Sequence, residues 1–133
     1  YIFYKEIYML DWFKKNKIDE SKLFLDHNQV SIKEEPIYTR EAKNVLFLNG
    51  FWKYRRIDLL IEAIPLVVQK IKNVQFTLVG ARNSEERKKE EELVKEAHVE
   101  NNTTIYDWTN HAEIFYNTAS VFVLPADIVF CNY

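Results

Sequence analysis

The sequence predicts an α/β protein built on a doubly wound parallel sheet, and two observations lead to this fold class. From residue 45 onward, short apolar runs alternate with helical patterns in the order strand, helix, strand, helix, strand, helix, strand. The runs are continuously apolar, which is typical of strands that are buried on both faces. This alternation predicts right-handed strand–helix–strand crossovers and therefore a parallel sheet. Doubly wound sheets also have a topological switch, from which we expect the strands in the order third, second, first, fourth.

The first strand of this series is predicted at Val45-Leu46-Phe47-Leu48, and Asn49-Gly50 ends it. We expect Asp58 to cap the helix that follows. Apolar residues recur there at the helical period and predict one buried face, formed by Leu59, Leu60, Ala63, Ile64, Val67, Val68 and Ile71. Pro65 lies inside this pattern, so we expect a bend or a late start of the helix.

The later elements continue the alternation. Three more strands are predicted from apolar runs, over residues 74–79, 103–106 and 121–124. Gly80 ends the first of these strands and Pro125 ends the last. We expect Ser84 to cap a charged helix, and we predict a short helix over 111–119.

The first part of the chain has a different pattern. Apolar residues recur at the helical period and predict a helix over 2–18, and a short strand is predicted over 22–25. The stretch from Ser31 to Asn44 is polar, contains Pro36 and has no period. It is therefore the best candidate for a linker.

Composition excludes several classes of function. Glycine occurs only at Gly50 and Gly80, so the chain has neither a GxGxxG dinucleotide loop nor a GxxxxGK[ST] phosphate loop. A single cysteine, Cys131, excludes an internal disulfide, and three scattered histidines do not predict a metal site. The formal net charge of -2 argues against a protein that binds the backbone of nucleic acids. No apolar run is long enough to predict a membrane span.

Chemistry is expected at the carboxyl ends of the strands, where open parallel sheets bind their ligands. The segment Phe51-Trp52-Lys53-Tyr54-Arg55-Arg56 is the most informative, because it places three cations and three aromatic rings directly after a buried strand. Cations at this place favour an anionic ligand, and guanidinium groups suit phosphate oxygens. The alternative is a solvated loop whose aromatic rings cover the end of the sheet.

Four motifs follow one another between residues 45 and 125. They are Arg55-Arg56 before Ile57-Asp58-Leu59-Leu60-Ile61-Glu62-Ala63, then Leu78-Val79-Gly80, then Asp107-Trp108, and last Thr118-Ala119-Ser120-Val121-Phe122-Val123-Leu124-Pro125. In this order and spacing they resemble the C-terminal, nucleotide-sugar-binding domain of GT-B glycosyltransferases of the retaining group 1 family (family 4). The resemblance implies a Rossmann-like fold and the transfer of a sugar, with retention, from a nucleoside-diphosphate-sugar donor. It implies a saccharide, lipid-linked or protein acceptor, and neither a metal nor another cofactor.

The resemblance also implies which residues bind the donor diphosphate. Aligned on the helix start, the family's phosphate lysine falls on Arg55, and its earlier Gly-Arg pair falls on Asn49 and Gly50. One of the expected phosphate cations is therefore absent. Arg55 is expected to be the main cation, with Lys53 as its helper. Arg56, which stands where the family has glycine, is expected to face solvent.

Further donor-binding residues are implied at the other strand ends. Gly50 and Gly80 would let the backbone approach the donor, Trp108 would flank the base, and Arg82 would contact the nucleotide. The alternatives are that Trp108 plugs the edge of the sheet and that Arg82 is solvated. The family's Glu-x7-Glu motif, which contacts the transferred sugar and the ribose, should begin just after the last strand. Asp127 is the only acidic residue found there.

The resemblance divides the chain into three parts. Residues 1–30 would be the tail of an acceptor-side N-terminal domain, 31–43 the interdomain linker, and 44–133 the donor-binding domain, truncated at its C-terminal end. Such a fragment is expected to be inactive alone, and the full protein is expected in the cytoplasm or at the inner membrane face. Two alternatives stay open: a non-catalytic doubly wound binding module, and a GT-B protein whose donor site has decayed.

Overall fold

The structure, a computed structural model, describes residues 1–4, 7–26 and 43–127 of the chain. Contacts group the described residues into two compact units, the smaller within the first 26 residues and the larger from Lys43 onward. Most of the predicted linker lies outside the described residues, and so does the end of the chain with Cys131. The three-part division of the chain therefore stays a prediction.

The smaller unit consists of two short parallel strands and a helix. Strand β1 (Ile2–Tyr4) is followed by helix α1 (Tyr8–Lys15) and by strand β2 (Leu23–Leu25). The predicted helix over 2–18 is wrong at its start, because β1 pairs with β2 there. The rings of Phe3 and Phe24 lie 5.7 Å apart across the two strands. Contacts between aromatic residues on paired strands favour the extended form over the helical one.

The larger unit contains a four-stranded parallel sheet. Its strands are β3 (Asn44–Leu48), β4 (Gln75–Ala81), β5 (Thr103–Asp107) and β6 (Val121–Phe122). They lie in the order β5–β4–β3–β6, and each neighbouring pair is parallel. This is the predicted order of third, second, first and fourth strand, so both the fold class and the topology are confirmed.

Three helices connect the strands of this sheet, namely α2 (Ile57–Lys70), α3 (Ser84–Glu96) and α4 (Ala112–Tyr116). Helices α2 and α3 pack against each other. Because the chain turns back after β5, right-handed crossovers put α4 on the opposite face of the sheet. Both α4 and β6 are shorter than predicted, and β6 pairs only with Val45 and Leu46 of β3.

The hydrophobic core of the larger unit lies between the sheet and its helices. Its members include Phe47, Phe76 and Leu78 from the strands and Ile57, Leu60, Ile61 and Ile64 from α2. Phe51, which follows β3, is 6% exposed and belongs to the same cluster. The loop after β3 is therefore attached to the core, which limits the positions its neighbouring side chains can take.

Helix α2 differs from the sequence prediction in its start and in its buried face. It runs without interruption from Ile57 to Lys70, so Pro65 does not delay its start. Leu59 and Ile71 were expected on the buried face but are 40% and 45% exposed. Apolar residues occur around most of this helix, so periodicity alone does not decide which of them face the core.

The caps of α2 and α3 also differ from the prediction. Arg56, not Asp58, occupies the cap position of α2 and has a left-handed backbone with φ 52° and ψ 42°. Asn83, not Ser84, caps α3, and its Oδ1 accepts the backbone N–H of Glu86 at 2.8 Å. Asparagine is among the strongest helix caps, and its side chain reaches this N–H from an extended backbone.

Candidate functional site

The carboxyl ends of the four parallel strands meet at one edge of the sheet. Backbone hydrogen bonds join the segments there, with the N–H of Asn49 donating to Val79 O (3.0 Å) and the N–H of Trp108 to Ala81 O (2.8 Å). The sequence-predicted donor residues all lie on these strand ends or on the loops that follow them, at Gly50, Lys53, Arg55, Gly80, Arg82, Trp108 and Asp127. This edge is therefore the candidate site.

Aromatic rings and guanidinium groups join the loop after β3 to the loop after β4. The guanidinium carbons of Arg82 and Arg55 lie 5.0 Å and 5.9 Å from the centroid of the Trp52 indole. Tyr54 stacks on Trp52 with ring centroids 5.5 Å apart, and its ring lies 5.1 Å from the Arg55 guanidinium carbon. We call these four residues the Trp52 cluster. Cation–π attraction of about 0.5 to 2 kcal/mol for each contact stabilises it.

Arg55, the predicted main cation, is buried. It is 6% exposed, whereas its neighbour Lys53 is exposed. Residues Lys53–Arg55 form a single 3-10 turn that leads directly into α2, so Arg55 lies close to the positive end of that helix dipole. A charge in such a poorly solvated position interacts more strongly with an anion than a charge in water does.

Arg82 is held by Glu86 as well as by the indole. The Glu86 carboxylate accepts the backbone N–H of Arg82 at 2.9 Å and its Nε–H at 3.1 Å. These hydrogen bonds from Arg82 lower the pKa of the Glu86 carboxyl, which favours its ionised form. Helix α3 begins immediately after Asn83, so the same turn fixes both the helix start and the Arg82 side chain.

A cleft of about 510 Å³ opens beside Arg82, between the ends of β4 and β5. It is lined by Ala81, Arg82, Asn83, Ser84, Arg87, Asp107 and Trp108. Arg87 fixes one side, because its guanidinium donates to Asp107 Oδ1 (3.1 Å) and to the backbone oxygen of Ile105 (3.1 Å). Trp108 is 59% exposed, so its indole lines the cleft with most of its surface uncovered. The structure thus brings Arg82 and Trp108, two predicted site residues, to one concave surface.

The two glycines permit close packing between neighbouring segments. Gly80 has a φ of 146°, and a Cβ built on it would lie 1.8 Å from the backbone oxygen of Asn49. A Cβ on Gly50 would lie 3.2 Å from the Trp52 indole. The two glycines are predicted to let the backbone approach a donor. In the structure their Cα positions lie close to Asn49 and Trp52 instead. A role of either glycine in donor binding stays a prediction.

We expected Arg56 to face solvent, but in the structure it is partly buried and paired with carboxylates. Its side chain is 29% exposed, and its guanidinium donates to two carboxylates, from Nη2 to Asp58 Oδ2 (3.0 Å) and from Nη1 to Asp127 Oδ1 (3.3 Å). Opposite charges from two separate segments explain this arrangement, and sequence alone did not show that these segments meet. Asp127 lies at the candidate edge as predicted, but contact with a donor sugar stays a prediction.

Sequence reasoning did not assign roles to Trp52, Tyr54 or Glu86. Glu86 follows Arg82 by four residues, a spacing at which opposite charges often pair, so a signal for it was present. Trp52 and Tyr54 were recognised only as aromatic members of a cationic loop. Which faces of their rings meet a guanidinium depends on the position of the loop after β4, which the local sequence does not determine.

The described ranges contain neither a candidate metal centre nor a candidate membrane-spanning helix. Within residues 1–4, 7–26 and 43–127, no three His, Cys, Asp or Glu side chains are grouped as ligands of a metal ion would be. No helix in that part of the chain has both the length and the apolar character needed to cross a membrane.

The fold and the site together define an α/β domain of the Rossmann-like type, with its polar residues gathered at the carboxyl edge of a parallel sheet. A family model described as "Glycosyl transferases group 1" matches residues 29–128. The chain belongs to this family.

Solved glycosyltransferase structures share the fold. A structure of an S. aureus TarM mutant in complex with Fondaparinux, alpha-GlcNAc-glycerol and UDP is similar at 24% identity and a TM-score of 0.76, over 93% of this chain and 24% of that one. The apo form of the lipopolysaccharide outer core galactosyltransferase WaaB is similar at 17% identity and a TM-score of 0.67, over 95% of this chain and 36% of that one. The chain thus spans about a quarter of the TarM chain and about a third of the WaaB chain. Among curated proteins, none matches the chain.

Proposed function

We propose that this chain is the donor-binding part of a retaining glycosyltransferase of family 4. The protein to which it belongs would transfer a sugar from a nucleoside-diphosphate sugar to a saccharide, lipid-linked or protein acceptor. The observation that supports this best is the Trp52 cluster next to the cleft. Two guanidinium groups contact one ring there, beside a concave surface with an exposed indole. The TarM relative was solved with UDP, which agrees with a nucleotide ligand.

The cleft is the proposed place of the nucleoside. Its volume of about 510 Å³ lies within the range of roughly 300 to 1,000 Å³ that is common for small-ligand sites. The exposed Trp108 indole offers a flat apolar face on which a base can stack. Because Arg87 pairs with Asp107, the part of the cleft wall that these two side chains form is already fixed before a ligand arrives.

The diphosphate is proposed to lie at the Trp52 cluster. Arg55 and Arg82 supply guanidinium groups, the exposed Lys53 supplies an ammonium group, and the start of α2 adds the positive end of a helix dipole. When the bond between the sugar and the diphosphate breaks, negative charge develops on the leaving phosphate oxygen. Fixed cations stabilise that charge more in the transition state than in the ground state. In this proposal these side chains provide the neutralisation without a metal.

Acceptor binding, transfer activity and location in the cell are properties of the whole protein. Acceptor binding is assigned to chain outside this domain, since the chain covers about a quarter of the TarM chain. We therefore expect the 133-residue chain alone to show no transfer activity in an assay that the whole protein passes. We also propose that the whole protein works in the cytoplasm or at the inner membrane face, which fractionation of cells would test.

Calorimetric titration with UDP, GDP, ADP and UMP tests the donor site. We expect at least one diphosphate to bind, and UMP to bind more weakly than UDP if UDP is preferred, because UMP lacks the second phosphate. Arg55→Ala should weaken diphosphate binding about tenfold to hundredfold, since one charge-assisted contact is lost. It should also reduce the difference between UDP and UMP, because the lost contact is to the phosphates.

Three controls make this test specific. Arg55→Lys keeps the charge and should retain most of the affinity, Arg56→Ala should change it less than twofold, and circular dichroism checks that each variant is folded. Equal losses for Arg55→Ala and Arg56→Ala would contradict the assignment of the diphosphate to Arg55. If no nucleotide binds to the folded wild type, the alternatives of a decayed donor site or a non-catalytic binding module are favoured.

A further inference from the structure

We infer that Arg56 is a positioning residue that holds the segment after β6 in place at the edge of the candidate site. We call residues 123–127 the β6 segment. Two hydrogen bonds join its end to the loop after β3, one from Arg56 Nη1 to Asp127 Oδ1 (3.3 Å) and one from the Asp127 N–H to the backbone oxygen of Tyr54 (3.0 Å). Arg56 and Asp127 are 71 positions apart in the sequence, so this bridge exists only in the folded domain.

The backbone of Arg56 supports this inference. Its φ of 52° and ψ of 42° are left-handed, a conformation that glycine adopts freely and that is unfavourable for a residue with a Cβ. Glycine would make the turn between the 3-10 helix and α2 without strain. Arginine accepts the strain and adds a guanidinium group that reaches Asp127. The role of Arg56 therefore lies in its side chain and not in the turn.

The contacts of the Arg56 guanidinium indicate a positioning role and not a ligand-binding role. Nε and Nη2 donate to the two oxygens of Asp58, at 3.0 to 3.2 Å, and Nη1 donates to Asp127. The Asp58 carboxylate fixes the plane of the guanidinium, and the hydrogen bond from Arg56 lowers the pKa of that carboxyl, which favours its ionised form. With two carboxylates on these three nitrogens, the Arg56 guanidinium is engaged in bridging Asp58 and Asp127, and their negative charges offset its own.

A consequence for sugar transfer follows, and it rests on the proposed function. Strand β6 ends at the same sheet edge as β3, so the β6 segment lies next to the loop that carries Arg55. Loss of the bridge should leave the nucleotide contacts intact and disturb the segment that borders them. We expect Arg56→Gly to lower kcat for transfer on the order of tenfold while the affinity for UDP changes less than twofold.

The bridge itself is tested without any ligand, by hydrogen–deuterium exchange of the full protein. In Arg56→Gly the amide groups of the β6 segment should exchange about threefold to fivefold faster, as expected for the loss of one partly exposed ion pair. Asp127→Asn should give a similar increase in exchange rate. The double variant should exchange little faster than either single variant, because both changes act on the same contact between Arg56 and Asp127. Lys53→Gln is the matched control, since it removes a charge from the same loop without touching Asp127, and it should leave the exchange unchanged.

These measurements distinguish a failure of the bridge from a failure of the proposed function. Unchanged exchange of the β6 segment in Arg56→Gly would overturn the inference whether or not nucleotides bind. A loss of UDP affinity as large as that of Arg55→Ala would also overturn it, because Arg56 would then be a ligand. Faster exchange in a protein that binds no nucleotide would support the bridge and contradict only the donor site. Partial rescue of kcat by Arg56→Lys would support the role of a charge in positioning.

Discussion

The Arg82 guanidinium carbon lies 5.0 Å from the centroid of the Trp52 indole. Trp52 follows β3 and Arg82 follows β4, so the contact joins residues from the ends of two neighbouring strands. The contact joins the loop after β3, which contains the buried Arg55, to the loop after β4, which borders the cleft. It thereby makes one continuous site out of a cationic cluster and a concave surface.

The first prediction concerns Trp52. Trp52→Leu should weaken UDP binding about fivefold, because it removes the ring that positions both guanidinium groups. Trp52→Phe keeps a ring and should lose less. Calorimetric titration measures both, and Trp12→Leu in the smaller unit is the matched control, expected to have no effect. Unchanged or tighter binding in Trp52→Leu would mean that the indole covers Arg55 instead of positioning it.

The second prediction concerns Gly80. Gly80→Ala should lower the free energy of unfolding by about 3 kcal/mol or more, because the new Cβ would meet the backbone oxygen of Asn49 at 1.8 Å and φ is 146°. Gly50→Ala should cost much less, since its Cβ would meet the Trp52 indole at 3.2 Å and a side chain moves more easily than a backbone. Denaturant unfolding compares them. Equal costs would contradict the packing described for the two glycines.

The third prediction concerns Glu90, whose side chain is 2% exposed and has Lys89 Nζ at 3.8 Å from Oε1. Burial raises the pKa of the Glu90 carboxyl above its ordinary value of 4.5. The folded state thus binds this proton more tightly than the unfolded state, so Glu90 favours folding below about pH 4.5 and this contribution is lost as the pH rises through the folded pKa. Glu90→Gln should therefore stabilise the protein at pH 8 by about 1 kcal/mol and have little effect at pH 4.

Thermal unfolding across this pH range measures the effect of Glu90→Gln. Glu92→Gln on the exposed side of α3 is the control, and its effect on Tm should be nearly independent of pH. A Glu90→Gln protein that is less stable than the wild type at pH 8 would show that the ionised carboxylate is well stabilised inside the fold.

The fourth prediction concerns Asn44 at the start of β3. Its Oδ1 accepts a hydrogen bond from Thr77 Oγ1 (2.9 Å), and its Nδ2 donates to the backbone oxygen of Thr118 (3.3 Å). The side chain therefore joins β4 and the turn before β6 to β3. Asn44→Ala should lower the free energy of unfolding by about 1 to 2 kcal/mol, whereas Asn101→Ala, at an exposed position, should cost little. Equal effects in denaturant unfolding would contradict this role.

Much of the fold of the larger unit could be predicted from the sequence, because its signals are local. Continuous apolar runs such as residues 45–48 indicate buried strands, and their alternation with helices leaves few topologies once crossovers are right-handed. The sequence predictions are wrong where one local pattern is compatible with two kinds of secondary structure. Phe3 fits a helical stripe and a strand equally well, and the pairing of β1 with β2, which includes its contact with Phe24, decides between them.

For the candidate site, the sequence determined the family resemblance, the edge of the sheet at which chemistry is expected, and the residue types that gather there. The tertiary structure decided how they are combined. It placed Arg82 on the Trp52 indole and turned Arg56 toward Asp127, 71 positions away. The physical reason is that periodicity and turn propensity act over a few residues, whereas a cation–π contact or an ion pair depends on which loops the strand order brings together.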